Sequence, residues 1–403
     1  MTLRAAFVSM HTSPAEQPGT ADAGGMNVLT GALARALGAK GVEVTFVTRR
    51  SSVSQPDKVQ LAPNVTLHHI DAGPPTPLPK SVIHHHIDQF RDGMANLGPF
   101  DLIHSHHWMS GVSALPLAKR WGIPHVMTYH SVAAHPNSSL GAGEPAETPE
   151  RLDGEVVCAE QSDLVIAVSH HEAATVIGRC NADPERVVIV RPGVDTEIFH
   201  PLSDGDDAPG WTPGPKIRSG YAIFAARMQP LKAPDLAIRA IAGVPDDIRP
   251  DLVLVGQTSE DFAGYEADLH SLVTELDVED RVHFLPGQQR TALARLIRHA
   301  SIMLVPSYSE TFGLIALEAS ASGVPVLAAA AGGLTEAICN THTGLLVPTH
   351  EPDDWVRDLT NLLRDEELRT QMAATGRQRA LGMTWPIVAD RTLTAYGRVL
   401  EMT

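Results

Sequence analysis

The chain has 403 residues, of which 43% are hydrophobic and 19% charged, and a formal net charge of −16. This length exceeds one ordinary core and predicts two domains, and the composition is that of a folded protein, not a disordered one. The negative charge argues against a surface that binds nucleic acid or anionic membranes, so any anionic ligand must meet local positive groups.

Two further features bear on location and redox chemistry. No apolar run reaches the roughly 20 residues that a membrane span needs, and "RAAFVSM" near the start is too short for the core of a signal peptide. We therefore expect a cytoplasmic protein with no membrane partner. The three cysteines, Cys158, Cys180 and Cys339, lie far apart without CxxC spacing, which predicts buried thiols and neither a zinc site nor disulfides.

In chain order, short apolar runs alternate with stretches of helical period. The first half predicts strands at "RAAFVSM", "VEVTFVT", "DLIHSH" and "HVMTYH", with a helix in "NVLTGALARALGAKG". The second half repeats this rhythm with "YAIFAA", the helix "APDLAIRAIAG", and then "DLVLVG", "VHFLPG", "SIMLVPS" and "VPVLAAA". Strands joined by crossover helices predict parallel sheets, so the fold class is α/β, with two doubly wound Rossmann-like domains facing a cleft.

A stretch rich in Pro, Gly and Asp, residues 191–216, separates the two halves and has the composition of a linker. We predict an N-terminal domain over 1–195, a C-terminal domain over 196–385, and a final helix over 386–403 that packs back on the N-terminal domain. Because ligand crevices in such sheets lie at the carboxyl ends of strands, chemistry is expected there.

The loop after the first strand contains "TADAGGMNV", residues 20–28, directly before a helix. Glycines at a helix N-terminus let an anion approach unpaired N–H groups. Gly24 and Gly25 therefore form either a cradle for a phosphate or sugar, or a simple turn. The GxGxxG dinucleotide fingerprint is absent.

Charged residues follow two strands of the second half. Arg227 and Lys232 flank a turn before a helix, where two cations suit a diphosphate; the alternative is a pair of solvated surface charges. Glu310 lies in a loop after "SIMLVPS", and Gly313 at the next helix start exposes N–H groups to an anion. Glu318 lies in an apolar helix, where it either accepts hydrogen bonds from ligand hydroxyls in a buried site or belongs to an exposed polar face.

Histidines cluster at "VIHHHI", "IHSHHW" and "TYHS". Since no HExxH pair, cysteine or carboxylate completes a ligand set, these clusters predict no metal site. We interpret His130, at a strand end, as a polar group in the cleft, and His84 to His86 as an exposed helix face.

In combination, these motifs resemble the retaining glycosyltransferases of family four, which have the GT-B fold. The similarity runs over essentially the whole chain and rests on "DAGGMNV", "RPGVDTEIF", "RMQPLKAPD" and the Glu310–Glu318 spacing with "FGLIALEA". It implies transfer of a hexosyl-type sugar from a UDP- or GDP-sugar to a small acceptor, by front-face attack without a protein nucleophile. It also implies a homodimer, no required cofactor, and Mg²⁺ only as a peripheral ion.

The resemblance further implies roles for individual residues. The N-terminal domain would bind the acceptor and the C-terminal domain the nucleotide sugar. Catalysis would depend on Arg227, Lys232, His130 and Glu310. Donor contacts would come from Gln17, Pro18, Gly24, Gly25, Arg227, Lys232, Glu310, Thr311, Phe312, Gly313, Leu314 and Glu318. Acceptor contacts would come from His11, Asp22, Asn27, Lys80, His107, Ser131 and Arg151.

Two branches of the family are similar to this sequence. One serves mycothiol biosynthesis and moves N-acetylglucosamine from UDP-GlcNAc to inositol phosphate. The other serves lincosamide antibiotic biosynthesis and joins a GDP-octose to the thiol of ergothioneine. His107 and Ser131 stand where the mycothiol branch has Tyr and Thr, so both acceptors stay open. A nucleotide-sugar epimerase is the alternative of another class, but Lys80, Ser131 and Arg151 as a separate anion site argue for a transferase.

Overall fold

The computed structural model describes residues 2–16, 24–134, 147–206, 220–258, 262 and 264–401. These residues form two separate sheets of mainly parallel strands, each with helices between its strands. The predicted α/β class with two Rossmann-like halves is therefore confirmed. None of the helices in these ranges is long and apolar enough to cross a lipid bilayer.

Eight strands form the first sheet: β1 (Arg4–Val8), β2 (Glu43–Arg49), β3 (Lys58–Ala62), β4 (Val65–Ile70), β5 (Leu102–His106), β6 (His125–Thr128), β7 (Leu164–Ala167) and β8 (Val187–Ile189). Their order is β3-β4-β2-β1-β5-β6-β7-β8, and β3 runs antiparallel to β4. The sheet carries the helices α1 (Gly25–Ala39), α2 (Lys80–Ile83), α3 (Ile87–Met94), α4 (Trp108–Trp121), α5 (Pro149–Gln161) and α6 (His170–Cys180).

Six parallel strands form the second sheet: β9 (Tyr221–Ala225), β10 (Asp251–Val255), β11 (Val282–Leu285), β12 (Ile302–Val305), β13 (Val326–Ala329) and β14 (Gly344–Val347). Their order is β11-β10-β9-β12-β13-β14. The chain adds β10 and β11 on one side of β9 and then crosses to add β12, β13 and β14 on the other side. The remaining helices are α7 (Pro234–Gly243), α8 (Tyr265–Glu275), α9 (Arg290–Arg298), α10 (Leu314–Ala321), α11 (Leu334–Ala337), α12 (Pro352–Arg364), α13 (Glu366–Leu381) and α14 (Trp385–Leu400).

The last helix, α14, lies on the first half of the protein. Lys40 at the end of α1 places Nζ 2.6 Å from Asp390 Oδ1, and α14 packs along α1. The buried Tyr396 hydroxyl is 2.7 Å from Nδ1 of His104 on β5. Helix α14 therefore contributes a side chain to the core under the first sheet.

The strands are apolar runs because helices cover both faces of each sheet. On β1 the residues from Ala5 to Val8 are inaccessible to solvent. Two of the three cysteines, Cys158 and Cys180, are buried as predicted, but the prediction for Cys339 is wrong: it is exposed, in the loop before β14. The loop placement removes the apolar neighbours that a helix or strand would have supplied.

Candidate active site

The predicted donor residues come together where β9 and β12 end. Lys232 closes a short 3₁₀ helix, Pro230–Lys232, and its Nζ lies 2.6 Å from Oε1 of Glu310. Ser307 donates a hydrogen bond to the same oxygen at 3.0 Å. Both side chains of this ion pair are 16% exposed, so the pair is largely withdrawn from solvent and faces one cavity that Arg227 also lines.

The two glycines of the first loop lie opposite these cations. A Cβ added at Gly24 would lie 3.8 Å from Nε of Arg227, and one added at Gly25 would lie 3.6 Å from Cδ1 of Leu314. Gly25 is also the first residue of α1. The loop of one half, which leads into the start of α1, therefore faces Arg227 and Leu314 of the other half.

Asn27 holds this loop in place. Its Nδ2 donates to Oγ1 of Thr12 and to the carbonyl of Ser13, both at 2.6 Å, and its Oδ1 accepts from the N–H of Gly24 at 3.0 Å. The amide is buried and engaged with protein groups at both ends. The structure thus shows Asn27 fixing Gly24, while direct contact with the acceptor stays a prediction.

The loop between β12 and α10 spans both halves of the protein. Thr311 donates from Oγ1 to the carbonyl of His130 at 2.9 Å, and Ser169 donates from Oγ to the carbonyl of Thr311 at 2.7 Å. Gly313, the residue directly before α10, has φ +97°, a conformation that favours glycine, and Leu314 at the start of α10 lines the cavity. Phe312 is buried in the core, so a donor contact there would have to use its backbone.

Sequence reasoning missed the glycine pair that supports this loop. The N–H of Gly333 donates to the carbonyl of Glu310 at 2.7 Å. A Cβ on Gly333 would lie 2.1 Å from the carbonyl oxygen of Thr311, so only glycine lets the two loops approach this closely. The adjacent glycines in "AAGGLTE" after β13 were the available signal, since they too follow a strand end.

Glu318 is 3% exposed, which excludes its alternative place on a polar helix face. Its Oε1 accepts a hydrogen bond from Nη1 of Arg290 at 2.6 Å. Burial raises the pKa of this carboxyl, and the Arg290 charge opposes that rise. Arg290 was also missed; it begins the helix that follows β11, so the strand-end rule applied to "VHFLPG" would have found it.

The histidines divide by role. His130 has φ +61°, and its Nε2 lies 2.9 Å from Nδ1 of the buried His106. Burial lowers the pKa of His130 to about 3, so the ring is neutral at physiological pH. His104 instead joins Tyr396 to Thr128 within the core. His85 is exposed in a short 3₁₀ helix, whereas His84 and His86 are half-buried, so the prediction of an exposed face holds only for the middle residue.

A second cavity is also lined by Arg227 and Lys232 and contains the predicted acceptor residues Lys80, His107, Ser131 and Arg151. Arg151 donates from Nη2 to Oγ of Ser131 at 3.1 Å. Its Nε and Nη1 lie 2.9 and 2.7 Å from the carboxylates of Glu155 and Glu147. Arg151 is thus oriented by two acidic side chains that also offset its charge.

His11 and His107 lie beside these groups, with ring centroids 4.3 Å apart. Burial is the larger cause, and neighbouring positive charge the smaller cause, of the lowered pKa of both imidazoles. Nδ1 of each ring has no hydrogen-bond partner among the residues that the structure describes. Both nitrogens are buried, although the two residues line the cavity that also contains Lys80 and Arg151. Three predicted contact residues, Gln17, Pro18 and Asp22, lie outside the described residues.

Two family models match the chain in succession. Residues 23–198 match "Glycosyltransferase Family 4", and residues 214–379 match "Glycosyl transferases group 1". Curated proteins named D-inositol 3-phosphate glycosyltransferase are similar over nearly the full length. The protein of Stackebrandtia nassauensis is 39% identical, over 99% of this chain and 92% of its own. That of Mycobacteroides abscessus is 40% identical, over 98% and 89%.

Solved structures share the architecture. Sucrose-phosphate synthase from Thermosynechococcus elongatus has a TM-score of 0.90 at 27% identity and covers 100% of both chains. Anabaena HepE in complex with UDP and glucose has a TM-score of 0.79 at 18% identity and covers 98% of this chain and 100% of its own, a likeness of fold alone. The predicted arrangement of two facing Rossmann-like domains is the arrangement of these solved structures.

Proposed function

Since the chain belongs to glycosyltransferase family 4 and is a retaining glycosyltransferase, we propose that it moves a sugar from a nucleoside-diphosphate sugar to a small anionic acceptor held by Lys80 and Arg151. The observation that carries this proposal is the meeting of two cavities at Gly24, Gly25 and Lys232. One cavity extends to Glu318 and the other to Arg151, so two substrates can lie end to end.

In this proposal the second half, residues 196–385, binds the donor. Arg227 and Lys232 hold the diphosphate and stabilise the charge that grows on it as the sugar leaves, because preorganised cations in a water-poor cleft act most strongly on developing charge. Glu310 accepts hydrogen bonds from the sugar hydroxyls, and its ion pair with Lys232 keeps it beside the diphosphate. Glu318 accepts hydrogen bonds from the ribose hydroxyls at the far end of the cavity.

The first half, residues 1–195, binds the acceptor. Lys80, Arg151, Ser131 and His107 supply cationic and polar groups for its anion, and the neutral His130 contacts the donor sugar across the cleft. The acceptor attacks the face that the diphosphate leaves, and its proton passes to the leaving phosphate oxygen. No protein nucleophile is needed, which agrees with retention in this family.

D-inositol 3-phosphate with a UDP-sugar is the first candidate pair, because the full-length relatives carry that acceptor in their name. A small thiol that bears a carboxylate, with a GDP-sugar, is the second. This second pair is favoured by Glu147 and Glu155, whose carboxylates pair with Arg151. They offset its positive charge, so the site attracts a carboxylate monoanion adequately but a phosphate dianion less strongly than an unpaired arginine would. A homodimer in the cytoplasm remains part of the proposal.

The decisive experiment incubates the protein with UDP-GlcNAc, UDP-glucose or a GDP-hexose and with inositol phosphate or ergothioneine, and identifies products by mass spectrometry. Arg151→Ala should raise the acceptor KM by roughly 10-fold or more, since a charge-assisted contact is lost, while the donor KM stays within about 2-fold. Arg91→Ala, at an exposed ion pair with Asp88, is the matched control. Equal effects on both KM values would remove Arg151 from the acceptor site.

A further inference from the structure

Arg290 occupies the nucleoside end of the donor cavity, where sequence reasoning had placed a single carboxylate. Its Nη1 lies 2.6 Å from Oε1 of Glu318, and its guanidinium carbon lies 4.6 Å from the centroid of the Phe199 ring. The side chain is 25% exposed, and both Arg290 and Glu318 line the cavity. The guanidinium is thus held from two directions while part of it remains open to a ligand.

The state of Glu318 decides what this end of the cavity can bind. An ionised carboxylate accepts hydrogen bonds on both oxygens and can take two neighbouring hydroxyls, whereas a protonated one keeps a hydrogen on one oxygen. Burial favours the protonated form and raises the pKa of Glu318, and Arg290 acts against it through its charge and its hydrogen bond.

Several other charged groups on the elements that pack against α10 have partners of their own. The adjoining strands β12 and β13 carry no ionisable residue. Arg377 and Arg379 of α13 donate to backbone carbonyls, and Glu336 of α11 binds His170 and Arg191. On α9 itself, Arg298 pairs with Asp206, and Arg295 is exposed. Arg290 is therefore the charge that acts on Glu318 among the described residues around it.

We propose that Arg290 is a donor-positioning residue, which holds the Glu318 carboxylate as an ion and in the orientation that accepts the two ribose hydroxyls of the nucleotide. This inference rests on the proposed function, since it requires that the nucleoside of the donor lies in this cavity. The affinity for the ribose of the donor, which Glu318 on α10 binds, then also depends on Arg290 on α9.

The test measures binding of UDP and of GDP by calorimetry at about pH 6 and about pH 8.5, for the wild type, Arg290→Ala and Arg290→Lys. Without Arg290, Glu318 takes up a proton as the pH falls. From about pH 8.5 to about pH 6 the Kd of Arg290→Ala should therefore rise about 10-fold more than that of the wild type, a comparison that cancels the titration of the terminal phosphate of the nucleotide. Arg290→Lys, which keeps a cation, should lie between them. Arg295→Ala removes an exposed arginine from the same helix and should match the wild type.

A second measurement separates this role from loss of structure. The 2′,3′-dideoxy forms of the nucleotides lack the hydroxyls that Glu318 accepts, so their affinity for Arg290→Ala should show no extra dependence on pH. The double variant Glu318→Gln with Arg290→Ala should also lose the extra pH dependence of nucleotide affinity that Arg290→Ala shows. If Arg290→Ala binds UDP and GDP with the same pH profile as the wild type, or shows the same slope with the dideoxy forms, the inference is overturned. If the wild type binds neither nucleotide, the proposed donor site itself is overturned.

Discussion

The substitution Gly25→Ala distinguishes the two roles considered for the glycines of the first loop, a cradle for the donor diphosphate and a simple turn. Gly25 is the first residue of α1, and a Cβ there would lie in ordinary van der Waals contact, 3.6 Å from Cδ1 of Leu314. Alanine suits a helix better than glycine by about 0.5–1 kcal/mol, so the fold should be as stable as the wild type or slightly more so. If Gly25 serves only a turn, activity is unchanged as well.

If the donor diphosphate lies against this loop, the added methyl group occupies space that the donor needs. A displacement of about 1 Å at a reacting group can cost about 100-fold in rate, so kcat/KM for the donor should fall by about that factor. Steady-state kinetics and thermal unfolding of the same preparation give both quantities. Gly178→Ala is the control, because Gly178 lies inside α6 and a Cβ there meets nothing within 4 Å. Wild-type kcat/KM in Gly25→Ala would refute the cradle, and a clear loss of stability would refute the packing argument.

Three further changes test other parts of the structure. Lys232→Ala should lower kcat by roughly 10²–10³-fold through lost charge stabilisation, with an unchanged circular dichroism spectrum; a wild-type kcat would contradict that role. Gly313→Ala should destabilise the protein by about 1–3 kcal/mol in denaturant titrations, because φ is +97° and the new Cβ would lie 2.5 Å from Leu334, and equal midpoints would exclude this strain. Burial lowers the pKa of His125 from 6.5 to about 3. The unfolded state therefore binds the extra proton, and stability should fall as the pH drops from about 6.5, by roughly 1 kcal/mol per pH unit for this residue. Replacing it by Gln should flatten that slope in denaturant titrations at several pH values.

Several features of the site could be predicted from local sequence. Nine of the fourteen strands in the described residues were readable because buried parallel strands are short apolar runs bounded by turns. The sequence analysis did not name β3, β4, β7, β8 and β14. Residues at their carboxyl ends, such as Arg227, Lys232 and Glu310, then had to lie near one another, since parallel strands place these ends at one edge of a sheet. Arg290 and Gly333 also follow strand ends, but they were missed, because a lone arginine or a glycine pair after a strand carries little signal by itself.

The sequence alone determined the α/β class, the presence of two sheets and the family, because these depend on periodicity and on motifs within a few residues. Only the tertiary structure decided which partner each polar side chain takes. Asn27 binds its own loop, His106 meets His130 from the neighbouring strand, and Arg290 reaches Glu318 on another helix. The physical reason is that a hydrogen bond depends on distances of about 3 Å between groups far apart in the chain, which periodicity does not encode.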